Sequence, residues 1–171
     1  LNAIKNIEEK SNKKVRAFIV GDGCERENLK KHTASLGIDF LNGDFDEGKK
    51  ATVHFTSWIK DVDWVNAGLD IVALSSLNEG TPVSLIEAQA SGKAIVSTKV
   101  GGVCNIVKSN ETALLVPNNH QKEFNRKLLN LVDDDQLRKK MGENGWKFVE
   151  KKFHYKRLVN DMKELYHELL D

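Results

Sequence analysis

Residues 70–98 read DIVALSSLNEGTPVSLIEAQASGKAIVST, from Asp70 to Thr98. Two apolar runs, Asp70 to Leu74 and Ala94 to Thr98, flank a helical segment, Pro82 to Ser91. Continuous apolar character suits strands buried on both faces. Gly92 stands where a helix C′ residue belongs. The stretch is therefore one strand–helix–strand unit, and two strands joined by a helix lie parallel.

The loop inside this unit carries the chemistry. Glu79 follows the first strand, and Glu87 comes eight residues later, about two turns into the helix. Pro82 suits the first helical position, where no N–H is needed, and Thr81 then falls at the N-cap. The unpaired N–H groups of Thr81, Val83 and Ser84 point out of the helix start, an anion cradle that the helix dipole reinforces. Val83, Ile86 and Ala90 recur at helical spacing, and Glu87 falls on that stripe. A carboxylate on a buried stripe needs a partner, so Glu87 either bridges something structural or awaits a ligand. An anion cradle between two carboxylates suits a phosphorylated ligand with hydroxyls on either side, as in a nucleotide-sugar.

Working outward, further apolar runs lie at Val15 to Val20, Val53 to Thr56 and Ala113 to Val116. Helical patterns cover Glu25 to Leu36, Asp63 to Ala67, Asn105 to Val107, Gln121 to Val132, Gln136 to Lys152 and Tyr155 to Leu170. This alternation predicts an α/β, Rossmann-like doubly wound parallel sheet over residues 1–171, with ligands at the carboxyl ends of the strands. The segment Ile38 to Thr52 reads as a surface insertion or as an edge of the nucleotide pocket. Asn42-Gly43 gives it a turn, and Phe40, Leu41 and Phe45 are its candidate anchors.

At 171 residues, 40% apolar and 30% charged, the chain has the balance of an ordinary globular domain. A net charge of +1 gives no general attraction for nucleic acid. No apolar run approaches a membrane span, and no signal peptide is visible. Cys24 and Cys104 lack metal-ligand spacing and read as reduced cytosolic thiols, which points to a cytoplasmic protein. No metal site is assigned. The C-terminal helices carry Lys139, Lys140, Lys147, Lys151, Lys152, Lys156 and Arg157. Interleaved acidic residues favour a solvated face over a peripheral contact with an anionic membrane.

In its order of motifs the chain resembles the donor-binding, C-terminal half of the retaining GT-B glycosyltransferases, family 4 type. The motifs are Asp70 to Ser76, Glu79 to Pro82 with Glu87-Ala88, Ser91 to Thr98, Val100-Gly101-Gly102-Val103 and Thr112 to Pro117, with Ile19 to Arg26 upstream. The resemblance implies a hexosyltransferase that moves a sugar from a UDP- or GDP-linked donor to a glycan or lipid-linked acceptor, without metal or other cofactor, in bacterial cell-surface polysaccharide synthesis. It implies a catalytic role for Glu79 at the donor sugar. Gly80, Thr81, Val83 and Ser84 would meet the diphosphate, Glu87 the ribose, the Trp58–Ile59 backbone the base edge, and Gly101 and Gly102 the sugar and diphosphate. Trp58 either stacks on the base or plugs the core, and Gly101-Gly102 is otherwise a plain turn.

The chain departs from the family pattern at its start, in the length of the Ile38–Thr52 connection and at Cys104-Asn105. Leu1 opens in the helix that follows the family's first strand, so that central strand, the donor-phosphate Arg and Lys near it, and the acceptor-binding N-terminal domain fall outside the sequence. An incomplete sheet core with a hydrophobic groove, and a chain inactive in transfer by itself, are expected. Cys104-Asn105 stands where Pro-Glu is usual, with Asn105 as a replacement helix cap. Gly21-Asp22-Gly23 imitates a dinucleotide fingerprint, but Arg26 occupies the third glycine position and breaks it. A noncatalytic nucleotide-sugar module, a GT-B epimerase and an NAD-binding domain are the rival functions.

Overall fold

Strand β5, Ala94–Thr98, is buried along its whole length, and its two neighbours show why. It lies between β4 (Ile71–Leu74) and β6 (Ala113–Val116), parallel to both, with Ile71 opposite Ala94 and Ile95 opposite Ala113. A second parallel sheet places β3 (Val53–Ser57) between β1 (Ala17–Val20) and β2 (Phe40–Asn42). The computed structural model describes residues 1–43, 48 and 50–170. The helices are α1 (Asn2–Lys10), α2 (Arg26–Ser35), α3 (Val62–Gly68), α4 (Val83–Ala90), α5 (Val103–Ile106), α6 (Gln121–Asp133), α7 (Asp135–Phe153) and α8 (Tyr155–Leu170). The α/β, Rossmann-like parallel architecture expected from the sequence is present, split into two three-stranded sheets.

The split has a physical signature. The central strands β3 and β5 are buried, whereas β1 and β4 are only half-buried. Each of these two strands pairs on one side only among the described residues. Their open edges line one cavity of about 1140 Å³, walled also by Ile4 and Ile7 of α1 and Phe124 and Leu128 of α6. This is the hydrophobic groove expected from the sequence.

Three apolar clusters hold the layers. Ile7, Val96, Phe124 and Leu131 pack one face of the β4–β6 sheet, and Leu85, Ile95, Ile106 and Leu115 the other. Ile38, Val53 and Phe55 form the core of the other sheet, where Phe40 meets Phe55 edge-on at 5.7 Å between ring centroids. Phe40 thus anchors as expected. But the Ile38–Thr52 segment is not simply an insertion, because it contributes β2. Phe45 lies outside the described residues.

Helix α4 starts one residue later than the sequence suggests, with Pro82 rather than Thr81 at the N-cap. At its other end Gly92 adopts φ +65°, its N–H donating to Gln89, while the Lys93 N–H donates to Ala88. This paired closure is the Schellman geometry that a C′ glycine permits. The buried face of α4 is Leu85, Ala88 and Gln89, and Val83 is 59% exposed. The stripe Val83–Ile86–Ala90 is therefore not the core stripe. α4 is gripped instead by β5 and by α7, which crosses close enough to α4 that a Cβ at Gly142 would stand 2.0 Å from the Gly92 carbonyl oxygen. Along α8 the apolar residues Tyr155, Leu158, Val159, Met162, Leu165 and Tyr166 are all exposed.

Candidate functional site

The loop between β4 and α4 is fixed at three points. The Thr98 hydroxyl at the end of β5 donates to the Ser76 carbonyl at 2.6 Å. The Gly102 N–H donates to the Gly80 carbonyl at 2.9 Å and approaches that of Glu79 at 3.3 Å. Gly101 adopts φ +45°, and a Cβ there would fall 1.7 Å from the Glu79 carbonyl oxygen. The glycine pair is therefore more than a plain turn. What its missing side chains admit is the backbone of the Glu79 loop. Asn105, expected as a helix cap, lies inside α5, whose N-cap is Gly102.

Held this way, Glu79 is half-buried and Gly80 and Thr81 are exposed at the mouth of α4. Among the described residues the N–H groups of Thr81, Val83 and Ser84 donate to nothing in the chain. The first turn is sealed only by the Leu85 N–H to the Pro82 carbonyl at 3.0 Å. The three donors thus stay unpaired despite the one-residue shift of the cap, because the first backbone donors of any helix lack partners. Glu87 is half-buried and, with Ser84, lines the cavity between β1 and β4. Neither the Glu79 nor the Glu87 carboxylate has a hydrogen-bond or ion-pair partner among the described residues. Among the described residues no structural bridge engages the Glu87 carboxylate.

Trp58 and Ile59 line the same cavity from the other sheet. Trp58 is 78% exposed, so it does not plug the core. These residues leave β3 through Ser57, which adopts φ +85°. Sequence reasoning missed Ser57, since serine carries no signal for that conformation. It also missed the work of Asp22 and Arg26. The Asp22 carboxylate accepts the Ser57 hydroxyl at 3.0 Å and the Gly23 N–H at 2.8 Å. The Gly23 N–H above all, then the Ser57 hydroxyl, hold its pKa below the ordinary carboxylate value. Arg26 reaches the Gly21 carbonyl at 3.2 Å, the Phe55 carbonyl at 3.1 Å and Asn42 Oδ1 at 2.8 Å. The residue that breaks the dinucleotide fingerprint ties the carboxyl ends of β1 and β2 to the middle of β3.

Elsewhere the charges serve the fold. Lys152 donates to the Asn105 carbonyl at 2.6 Å and Arg157 to the Lys152 carbonyl at 2.6 Å, which engages two of the C-terminal cations named above internally. Cys24 and Cys104 are free and exposed. No described helix is long and apolar enough to cross a membrane.

Parallel strands whose carboxyl ends face an open helix start and a cavity define a Rossmann-like α/β class of domain. Residues 1–148 match the family model described as glycosyl transferases group 1, and the chain belongs to that family. This excludes the NAD-binding rival. A crystal structure of HepE (Alr3699) from Anabaena in complex with UDP has the same fold, with TM-score 0.80 at 20% identity, over 98% of this chain and 44% of that one. The uncharacterized glycosyltransferase MJ1069 of Methanocaldococcus jannaschii is 28% identical over 161 residues, 92% of this chain and 38% of that protein. The lipopolysaccharide core biosynthesis glycosyltransferase LpsE of Rhizobium meliloti is 29% identical over 131 residues, 77% of this chain and 35% of that protein. The chain spans well under half the length of these relatives.

Proposed function

We propose that this chain is the donor-binding domain of a retaining glycosyltransferase that takes a UDP- or GDP-linked hexose. The carrying observation is a pair of partially buried carboxylates, Glu79 and Glu87, with no partner among the described residues, on either side of three free backbone donors. Carboxylates and backbone N–H groups that the chain leaves unpaired around a helix start are available to a ligand. The diphosphate would rest on the N–H groups of Thr81, Val83 and Ser84 beside Gly80. Glu87 would accept hydrogen bonds from the ribose, Glu79 from the donor sugar, and the Trp58–Ile59 backbone would meet the base.

The demanding step is departure of the nucleoside diphosphate. Negative charge grows on the β-phosphate, and donors already oriented toward it lower the barrier. Glu79 would steer the sugar and stabilise positive charge developing at its anomeric carbon. With the acceptor attacking on the leaving-group face, no protein nucleophile is needed, and retention follows from the resemblance to the family. The resemblance also supports a reaction without a metal ion. Gly101 and Gly102 would serve the site by setting the height of the Glu79 loop.

The acceptor would be a glycan or lipid-linked sugar, and the work cytoplasmic, in cell-surface polysaccharide synthesis, the setting that the name of the Rhizobium relative supports. Because the chain covers only 38% of one relative's length, it is proposed to bind donor without completing transfer alone. Ligand-observed NMR with UDP, GDP, ADP and CDP tests the assignment. Saturation transfer to UDP or GDP, weakened in Glu87→Gln, is the expected result. Equal signals from the wild type and the variant would return Glu87 to a structural role.

A further inference from the structure

Ser57 is the one residue of β3 in the left-handed region, at φ +85°, which side chains with a Cβ avoid. Three hydrogen bonds keep it there, and two further contacts fix the Asp22 carboxylate that accepts one of them. The Gly21 N–H and the Thr56 hydroxyl donate to its carbonyl at 2.9 and 3.0 Å. Its own hydroxyl donates to Asp22 Oδ2 at 3.0 Å, and the other Asp22 oxygen is fixed by the Gly23 N–H at 2.8 Å. Arg26 Nη1 stands 3.7 Å from the same Asp22 Oδ2. The turn re-aims the chain from the strand direction into the cavity, and Trp58 and Ile59 follow at once. Trp58 is 78% exposed, so packing of its ring does not hold this segment in place. The restraint has to come from the backbone behind it.

We propose that Asp22 and Ser57 are positioning residues: their hydrogen bond locks a strained turn that presents Trp58 and Ile59 to the base of the donor nucleotide. The inference rests on the donor-site assignment above. Strain persists only where surrounding contacts over-determine it, and it gathers where geometry must be fixed before a ligand arrives. Asp22 and Ser57 never touch the ligand. They act by removing the conformational freedom that binding would otherwise have to quench.

The test is calorimetric titration of UDP and GDP into the wild type, Asp22→Ala, Ser57→Ala and the double variant Asp22→Ala/Ser57→Gly. Both single variants should bind the preferred nucleotide about tenfold more weakly with thermal midpoints close to wild type. The double variant should recover most of that loss, because glycine adopts a positive φ without the clamp. Hydrogen exchange supplies a readout without ligand: in Asp22→Ala the amide of Gly21, bonded to the Ser57 carbonyl, should exchange faster, while that of Phe55 stays protected. Wild-type affinity in both single variants would overturn the positioning role and leave the donor site standing. A loss in Asp22→Ala that glycine at 57 fails to rescue, with a lowered thermal midpoint, would show Asp22 to be merely structural. A wild type that binds neither nucleotide would sink the donor assignment, and this inference with it.

Discussion

Gly101 lies against Glu79 so closely that the space for a Cβ is already occupied by the Glu79 carbonyl oxygen, 1.7 Å from where that carbon would sit. With the Gly102 N–H bonded to the Gly80 carbonyl, two loops distant in sequence become one rigid support for the first carboxylate. Gly101→Ala must then push the Glu79 loop away and strain its own φ of +45°. The expected loss is about 2–4 kcal/mol in urea unfolding, together with weakened donor binding. Gly23→Ala is the control, since nothing lies within 4 Å of its Cβ position.

The two carboxylates divide the donor between them. Glu87→Gln should weaken binding of the free nucleoside diphosphate by about 1–3 kcal/mol, the range for a charged hydrogen bond lost from a site. Glu79→Ala should leave that affinity nearly unchanged and lower turnover in the full-length enzyme, because only the sugar meets Glu79. Parallel losses in both quantities for Glu79→Ala would contradict the division.

Packing between α4 and α7 depends on Gly142, whose Cβ position lies 2.0 Å from the Gly92 carbonyl oxygen. Gly142→Ala would lever α7 off the helix that carries Glu87. Loss of about 1–3 kcal/mol of stability is expected by chemical denaturation. Gly145 is less constrained, since its nearest neighbour is the Gln89 side chain at 3.1 Å, so Gly145→Ala should cost less.

Asp135 accepts hydrogen bonds from Lys13 and Arg138, in that order of effect, and its pKa is lowered from the ordinary 3.8. A lowered folded-state pKa stabilises the fold above the unfolded value and is lost as pH falls through the folded one. Asp135→Asn should therefore be less stable than wild type at pH 7, and the gap should close as pH falls below about 4. Denaturant midpoints measured across that range check the sign.

Legibility followed physics. β5 and β6 match the sequence reading residue for residue because unbroken apolar runs flanked by polar turns leave little choice of strand. β2, three residues long inside a polar segment, gives no such run and was read as part of an insertion. The face of α4 was misjudged because a helix gripped by a sheet and another helix buries Leu85, Ala88 and Gln89, and no single apolar stripe reveals that. Spacing and loop chemistry single out both carboxylates, and the structure leaves both without a partner among the described residues. That the glycine pair at 101–102 needs close approach was also legible, but its neighbour, the Glu79 loop, is a tertiary fact. Ser57 and its clamp were not legible at all, since only backbone dihedrals disclose a left-handed serine.

The most direct test of the account is two-dimensional NMR of the 171-residue chain titrated with UDP and with GDP. One of the two should saturate the chain and shift the amides of Gly80, Thr81, Val83 and Ser84 together with Trp58 and Ile59, and the shifts should vanish in Glu87→Ala. Binding that spared those amides, or no binding by either nucleotide, would contradict the donor site.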